Sequence, residues 1–458
     1  MLFDMALSRY RTRLRPAVFA LTFTVGGCSF LFAPPDPFDA FNFPWPDGTP
    51  LLTASRSGVD VVYEDAGVLA VLHGFSCASS DRDGQEDFVR IQERLNLAEL
   101  LEEDPRWITD ATVFLNGFQS KFLNEEHTLL GFAVAVARIE HVRTELNFEG
   151  GGALSSHDFK DPYELCYTYT ALIWNRQELP LSADHGDPDN VFILRAEDNH
   201  SVTSLNVLRN YREGLGFIGL DTPAGVLPRG AGMAWTSGEQ LLQASYSLGS
   251  GATVLDGGRS YATLPSPQGL TPTTQRQGAG GISWDSSVIF KPNDRKDDVY
   301  AAELVSVLGG EGLSLLQPPF LIEPANEKEP CGGWFTGCIG NPPDVNGPMT
   351  EEVVIENLPY EMAVPVLSGW SLGYVNDDHS IRDLGVSIDR FSYEPPSGGA
   401  PGTLRYTVTA VADNDGNFMP ALRHRVSVLG LTPPPSAPDP GAPVQPQPVD
   451  PPGPVTDE

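Results

Sequence analysis

The sequence predicts an all-β protein of two or three tandem antiparallel β-sandwich domains, on three observations. Turn-forming residues punctuate the chain, with 46 Gly and 41 Pro among 458 residues, while Val, Ile, Thr, Tyr and Phe fill the short runs between them. Apolar residues alternate: Phe132, Val134 and Val136 take every second position, as do Leu384, Val386 and Ile388. That period places side chains on one face of a strand. Finally, residues 111–139 align without a gap on residues 363–391, an internal repeat.

Taken in chain order, residues 1–27 read as an export signal. Arg9, Arg11, Arg13 and Arg15 precede an apolar run from Ala17 to Val25, and the small residues Gly26 and Gly27 stand before Cys28. The run is too short to cross a hydrocarbon core of ~30 Å. The segment resembles the signal of bacterial lipoprotein precursors. That resemblance implies cleavage before Cys28, acylation of its thiol, and a mature chain held to a lipid bilayer by its first residue. With Ser29 where an inner-membrane retention signal has Asp, it also implies the outer membrane of a Gram-negative cell.

The formal charge is -31, and removing residues 1–27 makes it three units more negative. Such a chain repels nucleic acid, which is excluded as a partner. Residues 28–50 form a Pro- and aromatic-rich tether whose rings, among them Phe38, Phe43 and Trp45, are expected either to pack on the first domain or to lie at the lipid interface. At the other end, residues 432–458 are so rich in Pro that a disordered tail in extended polyproline conformation is expected. Between the ends, three β domains are drawn at 51–205, 206–320 and 321–431. From Glu86 to Glu103 either a helix or a strand followed by a short helix fits.

Four cysteines follow Cys28. In an oxidising compartment they are expected to form two disulfides, one of three connectivities, and the pairs Cys77–Cys166 and Cys331–Cys338 are favoured.

In the repeat, Leu115, Gly117, Asn124, His127, Val134 and Arg138 match Leu367, Gly369, Asn376, His379, Val386 and Arg390, Phe118 answers Trp370, and Phe122 answers Tyr374. Each copy reads as strand, turn and strand, with an acidic pair at a hairpin tip. A further match sets Tyr167, Thr168, Thr170 and Ala171 against Tyr406, Thr407, Thr409 and Ala410. Another sets Val305–Gly309 against Val426–Gly430. The middle domain lacks the acidic His turn.

The candidate ligand-binding residues are Glu125, Glu126 and His127 in one copy, with Asp377, Asp378, His379, Trp370 and Tyr374 in the other. Carboxylates at a turn suit Ca²⁺, and a His among them suits Zn²⁺ if other strands contribute. The alternative reading is structural, because a tip needs Asn or Asp for its geometry and a neighbouring His bonds a backbone carbonyl. No cofactor is assigned; Ca²⁺ is the candidate carried forward. Two more acidic loops, Asp81 to Asp87 and Asp413 to Asn417, begin like calcium loops and lack the rest of that pattern. A hydrolase reading rests on Gly74, Phe75, Ser76, Cys77 and Ala78 as a nucleophile elbow and lacks the helix such an elbow needs. No catalytic residue is assigned.

The strand order of the third domain resembles that of H-type lectin-like β-sandwiches in layout, without the Trp positions of that family. The resemblance implies non-catalytic recognition of a glycan or another cell-envelope component. A structural or adhesion protein without a small ligand is the alternative, and a carbohydrate-active hydrolase the third reading.

Overall fold

The computed structural model describes residues 45, 48–65, 67–80, 88–102, 104–156, 161–184, 191–196, 206–213, 224–235, 241–248, 253–256, 259–261, 281–292, 299–310, 312–316, 336–339, 348–373, 380–414 and 421–432. The protein is all-β and antiparallel, as the alternation predicts. The chain opens with β1 (Arg56–Asp65), β2 (Leu69–Ser80) and β3 (Val89–Asn96), which runs into a single turn of helix, α1 (Leu97–Leu100). Between Glu86 and Glu103 the strand followed by a short helix is thus realised. Asn96 ends the strand and caps the helix, its side chain accepting from the Ala98 N–H. There follow β4 (Asp110–Phe122), β5 (Leu129–Val142), β6 (Glu145–Ser156), β7 (Tyr163–Trp174), β8 (Leu181–Asp184), β9 (Val191–Ala196) and β10 (Asn206–Glu213). Next come β11 (Ala224–Trp235), β12 (Leu241–Leu248), β13 (Thr253–Asp256), β14 (Arg259–Tyr261), β15 (Gly281–Pro292), β16 (Val299–Gly310) and β17 (Leu313–Leu316). The last six are β18 (Thr336–Ile339), β19 (Met349–Leu358), β20 (Met362–Gly373), β21 (Ile381–Glu394), β22 (Gly402–Asn414) and β23 (Ala421–Leu431).

Strand pairing reveals an order that composition does not. Sheet I runs β1-β2-β7-β4-β21-β22-β19; sheet II runs β3-β6-β5-β11-β16-β8, with β9 also on β16; sheet III runs β14-β13-β15-β12-β20-β23-β17, with β10 on β15 and β18 on β23. Three groups of strands repeat one pattern: β2 to β7; β9 to β12 with β15 and β16; and β18 to β23. In each, the third strand pairs with the sixth and the sixth with the first, while the fourth pairs with the fifth and the fifth with the second. The fourth strand of each unit then pairs with the third strand of the next: β5 with β11, β12 with β20, and β21 back to β4. The ring closes with threefold pseudosymmetry. Each sheet is half one unit and half its neighbour, and the third strands β4, β11 and β20 pack against one another at the centre.

The boundaries at 205/206 and 320/321 are therefore crossed by hydrogen-bonded sheets, and β9, which precedes the first boundary, pairs with β16 beyond it. The units are woven together, because each leaves a sheet edge that only a neighbour's strand satisfies.

The repeat holds at the level of single residues. Each central strand carries a bulge at the same place, skipping Asn116 between Leu115 and Gly117, Arg229 between Pro228 and Gly230, and Ser368 between Leu367 and Gly369. All three skipped residues are fully buried. The glycine after each bulge faces a small residue of the neighbouring unit: Gly117 opposite Ser387, Gly230 opposite Ala135, and Gly369 opposite Ser247. At Gly117, with φ +154°, a Cβ would lie 2.3 Å from the Ser387 Cα, so the strands meet only over a glycine. Phe118 and Trp370 stand at equivalent positions, opposite Val386 and Tyr246. Val305 and Val426 are likewise equivalent on β16 and β23. The match of Tyr167–Ala171 to Tyr406–Ala410 is corrected: it pairs β7, a sixth strand, with β22, a fifth, and reflects alternation alone.

One continuous apolar core runs through all three units. Trp45 of the tether is buried beside Phe88, Ala135, Ala137 and Leu304, and Leu52 bridges to Ile91. This ring packs on the body; the other tether rings, Cys28 and the segment 433–458 lie outside the described residues. The Cys77–Cys166 disulfide joins directly opposed residues of β2 and β7. Cys331 lies outside the described residues, and Cys338 sits on β18 opposite Arg423.

Candidate functional site

The first copy of the acidic His turn joins β4 to β5. The expected hairpin is not what forms: β4 belongs to sheet I and β5 to sheet II, so the turn is a corner where the chain changes sheets. Alternation specifies a strand's faces and not its partner, which is why the hairpin reading fails. β20 and β21 turn the same corner between sheets III and I.

His127 is the centre of the first corner. Its backbone exchanges two hydrogen bonds with Ile381 of the third unit, at 3.1 and 2.9 Å. Its Nδ1 is 3.1 Å from Asp161 Oδ2 and its Nε2 is 3.1 Å from Asn124 Oδ1. Asp161 also accepts from Asn124 Nδ2 at 3.2 Å and from Ser156 Oγ at 2.5 Å. Phe122 meets the imidazole edge-on with ring centroids 4.9 Å apart. The Asn124, His127 and Asp161 side chains are thus engaged in holding the corner. Glu125 is exposed and Glu126 half-buried; among the described residues no group of three or more His, Cys, Asp or Glu could hold a metal ion. In the second copy, Tyr374, Asp377, Asp378 and His379 lie outside the described residues. Trp370 is buried in the core, tilted 57° against Phe132 and edge-on to Phe118. It offers no face to a ligand from solvent.

The segment Gly74–Ala78 lies in the middle of β2, paired residue by residue with β7. An extended strand has no sharp turn to raise a nucleophile, so Ser76, which is fully buried, is not on an elbow. The acidic stretch 81–87 and residues 415–417 lie outside the described residues.

Sequence reading missed a polar network through the seam between units one and three. The Leu367 N–H donates to Asn116 Oδ1 at 2.8 Å, and Asn116 Nδ2 donates to Pro365 O at 3.0 Å and to Thr170 Oγ1 at 2.9 Å. Thr170 then donates to His73 Nδ1 at 3.0 Å, leaving His73 Nε2–H to donate to Ile388 O at 3.0 Å. Burial pushes the His73 pKa down, which fits the neutral tautomer this chain requires. Nearby, Gln119 Nε2 lies 3.0 and 2.9 Å from the two carboxylate oxygens of Asp383, whose pKa desolvation raises to about 6. The signal in sequence was the repeated polar residue before glycine, Asn116–Gly117 and Ser368–Gly369.

No family model, no curated protein and no solved structure matches this chain.

Proposed function

We propose that the chain is a lipid-anchored envelope protein whose interlocked β body works as a non-catalytic structural or adhesion module. One observation carries this reading: the side chains best suited to chemistry, His73, Thr170, Asn116, His127 and Asp161, are spent on joining strands and units. Acylation of Cys28 would place the body at a membrane, with Trp45, seventeen residues further along the chain, docked on the body. Among the described residues no helix is long and apolar enough to cross a membrane.

Two experiments test the reading. Metabolic labelling with an alkyne fatty acid should mark the wild type and not Cys28→Ser, and only the wild type should sediment with outer membranes. Equal fractionation of the two would remove the anchor. A second reading, glycan recognition, rests on Glu125, which stays exposed at a corner held by the Asn124, His127 and Asp161 side chains. On a glycan array with and without Ca²⁺, binding lost in Glu125→Gln would replace the structural reading with a lectin-like one.

A further inference from the structure

The three sixth strands place one polar residue each at the same inward position: Tyr167 opposite Phe118, Glu303 opposite Ala231, and His424 opposite Trp370. In unit one, Tyr167 Oη donates to Glu93 Oε1 at 3.1 Å, and Glu93 reaches in from the second strand, β3. In unit two, Glu303 Oε1 accepts from Tyr246 Oη at 2.6 Å. These two positions are completed by hydroxyl and carboxylate. Unit three differs. His424 is 1% exposed, yet neither ring nitrogen has a hydrogen-bond partner. Glu351, again on the second strand, β19, points Oε2 at His424 Nδ1 from 4.0 Å, and that oxygen is also unpartnered. The buried Tyr406 hydroxyl, on the adjacent strand β22, is the third orphan. Its phenol lies within electrostatic reach of Glu351.

Leaving so many buried polar atoms unbonded is unfavourable, and the other two units avoid that cost at this position. An imidazole nitrogen and a carboxylate are donor types that bind first-row divalent metals. A separation of 4.0 Å is too long for a hydrogen bond, whereas two bonds of about 2.1 Å to one ion need only a small closure by the Glu351 side chain. That side chain is 38% exposed, which gives the ion an entrance and leaves water to complete its shell.

We propose that the third unit holds a divalent transition-metal site, with His424 Nδ1 and Glu351 Oε2 as ligands and Tyr406 beside them. The ion ties the edge strand β19 to β23, as the Tyr167–Glu93 bond ties β3 to β7.

The test is calorimetric titration of the full chain with Zn²⁺ in excess Ca²⁺, which occupies non-specific acidic surface sites, alongside Co²⁺ absorption spectra. The expected result is one Zn²⁺ per chain, a Co²⁺ spectrum showing nitrogen ligation, and a Zn²⁺-dependent rise in Tm. Glu351→Gln should weaken binding at least tenfold and His424→Phe should abolish it. Tyr406→Phe, which keeps the packing, guards against a variant that fails to fold and should retain the site with weaker affinity. Zn²⁺ binding of equal affinity in the wild type and in folded His424→Phe overturns the proposal, as does no binding by the wild type at submillimolar Zn²⁺.

Discussion

His73 and His424 are both buried, one at the seam between units one and three and the other inside unit three. His73 is bonded at both nitrogens and His424 at neither. Burial lowers the pKa of each, that of His424 to about 4. The contrast shows two uses of a buried polar group. At the seam, a satisfied network specifies which strands meet, because any other pairing would strand its donors. In the third unit, His424, Glu351 Oε2 and the Tyr406 hydroxyl have no hydrogen-bond partner, the observation on which the proposed metal site rests.

The largest effect should come from a staple that belongs to neither region. Cys77–Cys166 closes a loop with a sequence separation of 89, for which chain entropy gives about 4–5 kcal/mol. Its reduction should lower the urea midpoint while leaving the seam and the metal site unchanged relative to each other. Next, Asn116→Ala leaves the Leu367 N–H and Pro365 O unpaired and should cost about 3–4 kcal/mol in urea unfolding. A loss under about 1 kcal/mol would mean that water replaces the network and that the seam is not specified by it.

The histidines themselves give the sharpest contrast. With chelator present at pH 7, His73→Phe should cost about 2–3 kcal/mol because Ile388 O and Thr170 lose their partner. His424→Phe should instead stabilise the metal-free protein by about 2–3 kcal/mol, since it removes two buried nitrogens that have no partner. The lowered folded pKa means that the wild type loses stability as pH falls from about 6.5 towards 4 through His424. His424→Phe should lack that portion of the acid loss, and equal acid profiles would refute the assignment. A smaller gain than the losses at Asn116 and His73 is expected at Asp383, whose folded pKa of about 6 exceeds its unfolded value, so its charged form is penalised as pH rises through 6. Asp383→Asn should stabilise the protein by about 2 kcal/mol at pH 7, and the gain should vanish as pH falls below about 4.

The same division separates what was legible in the chain from what was not. The repeat register was legible, since matching Gly117 to Gly369 and Phe118 to Trp370 gives true structural equivalents. So was Cys77 with Cys166. The third copy was not, because its central strand presents Pro228-Arg229-Gly230 with few of the side chains that mark the others. What makes it equivalent is its bulge and its pairing. Of the candidate ligand residues, His127 proves to be part of a bonded corner and Trp370 part of the core. His424 and Glu351 had no motif at all, being separated by 73 positions along the chain.

Strand period, turn chemistry and the repeat, read from the amino acids alone, determined that this is an antiparallel β protein with copies of one unit, and which face of each strand is apolar. Those features are local, set by backbone sterics and by the alternation of side chains over a few residues. Only the tertiary structure decided that β4 pairs with β21 rather than β5, that three units close into a ring, and that one buried histidine is satisfied while the other is not. Hydrogen-bond partners are chosen between segments far apart in the chain, by which edges remain open once every other strand is placed.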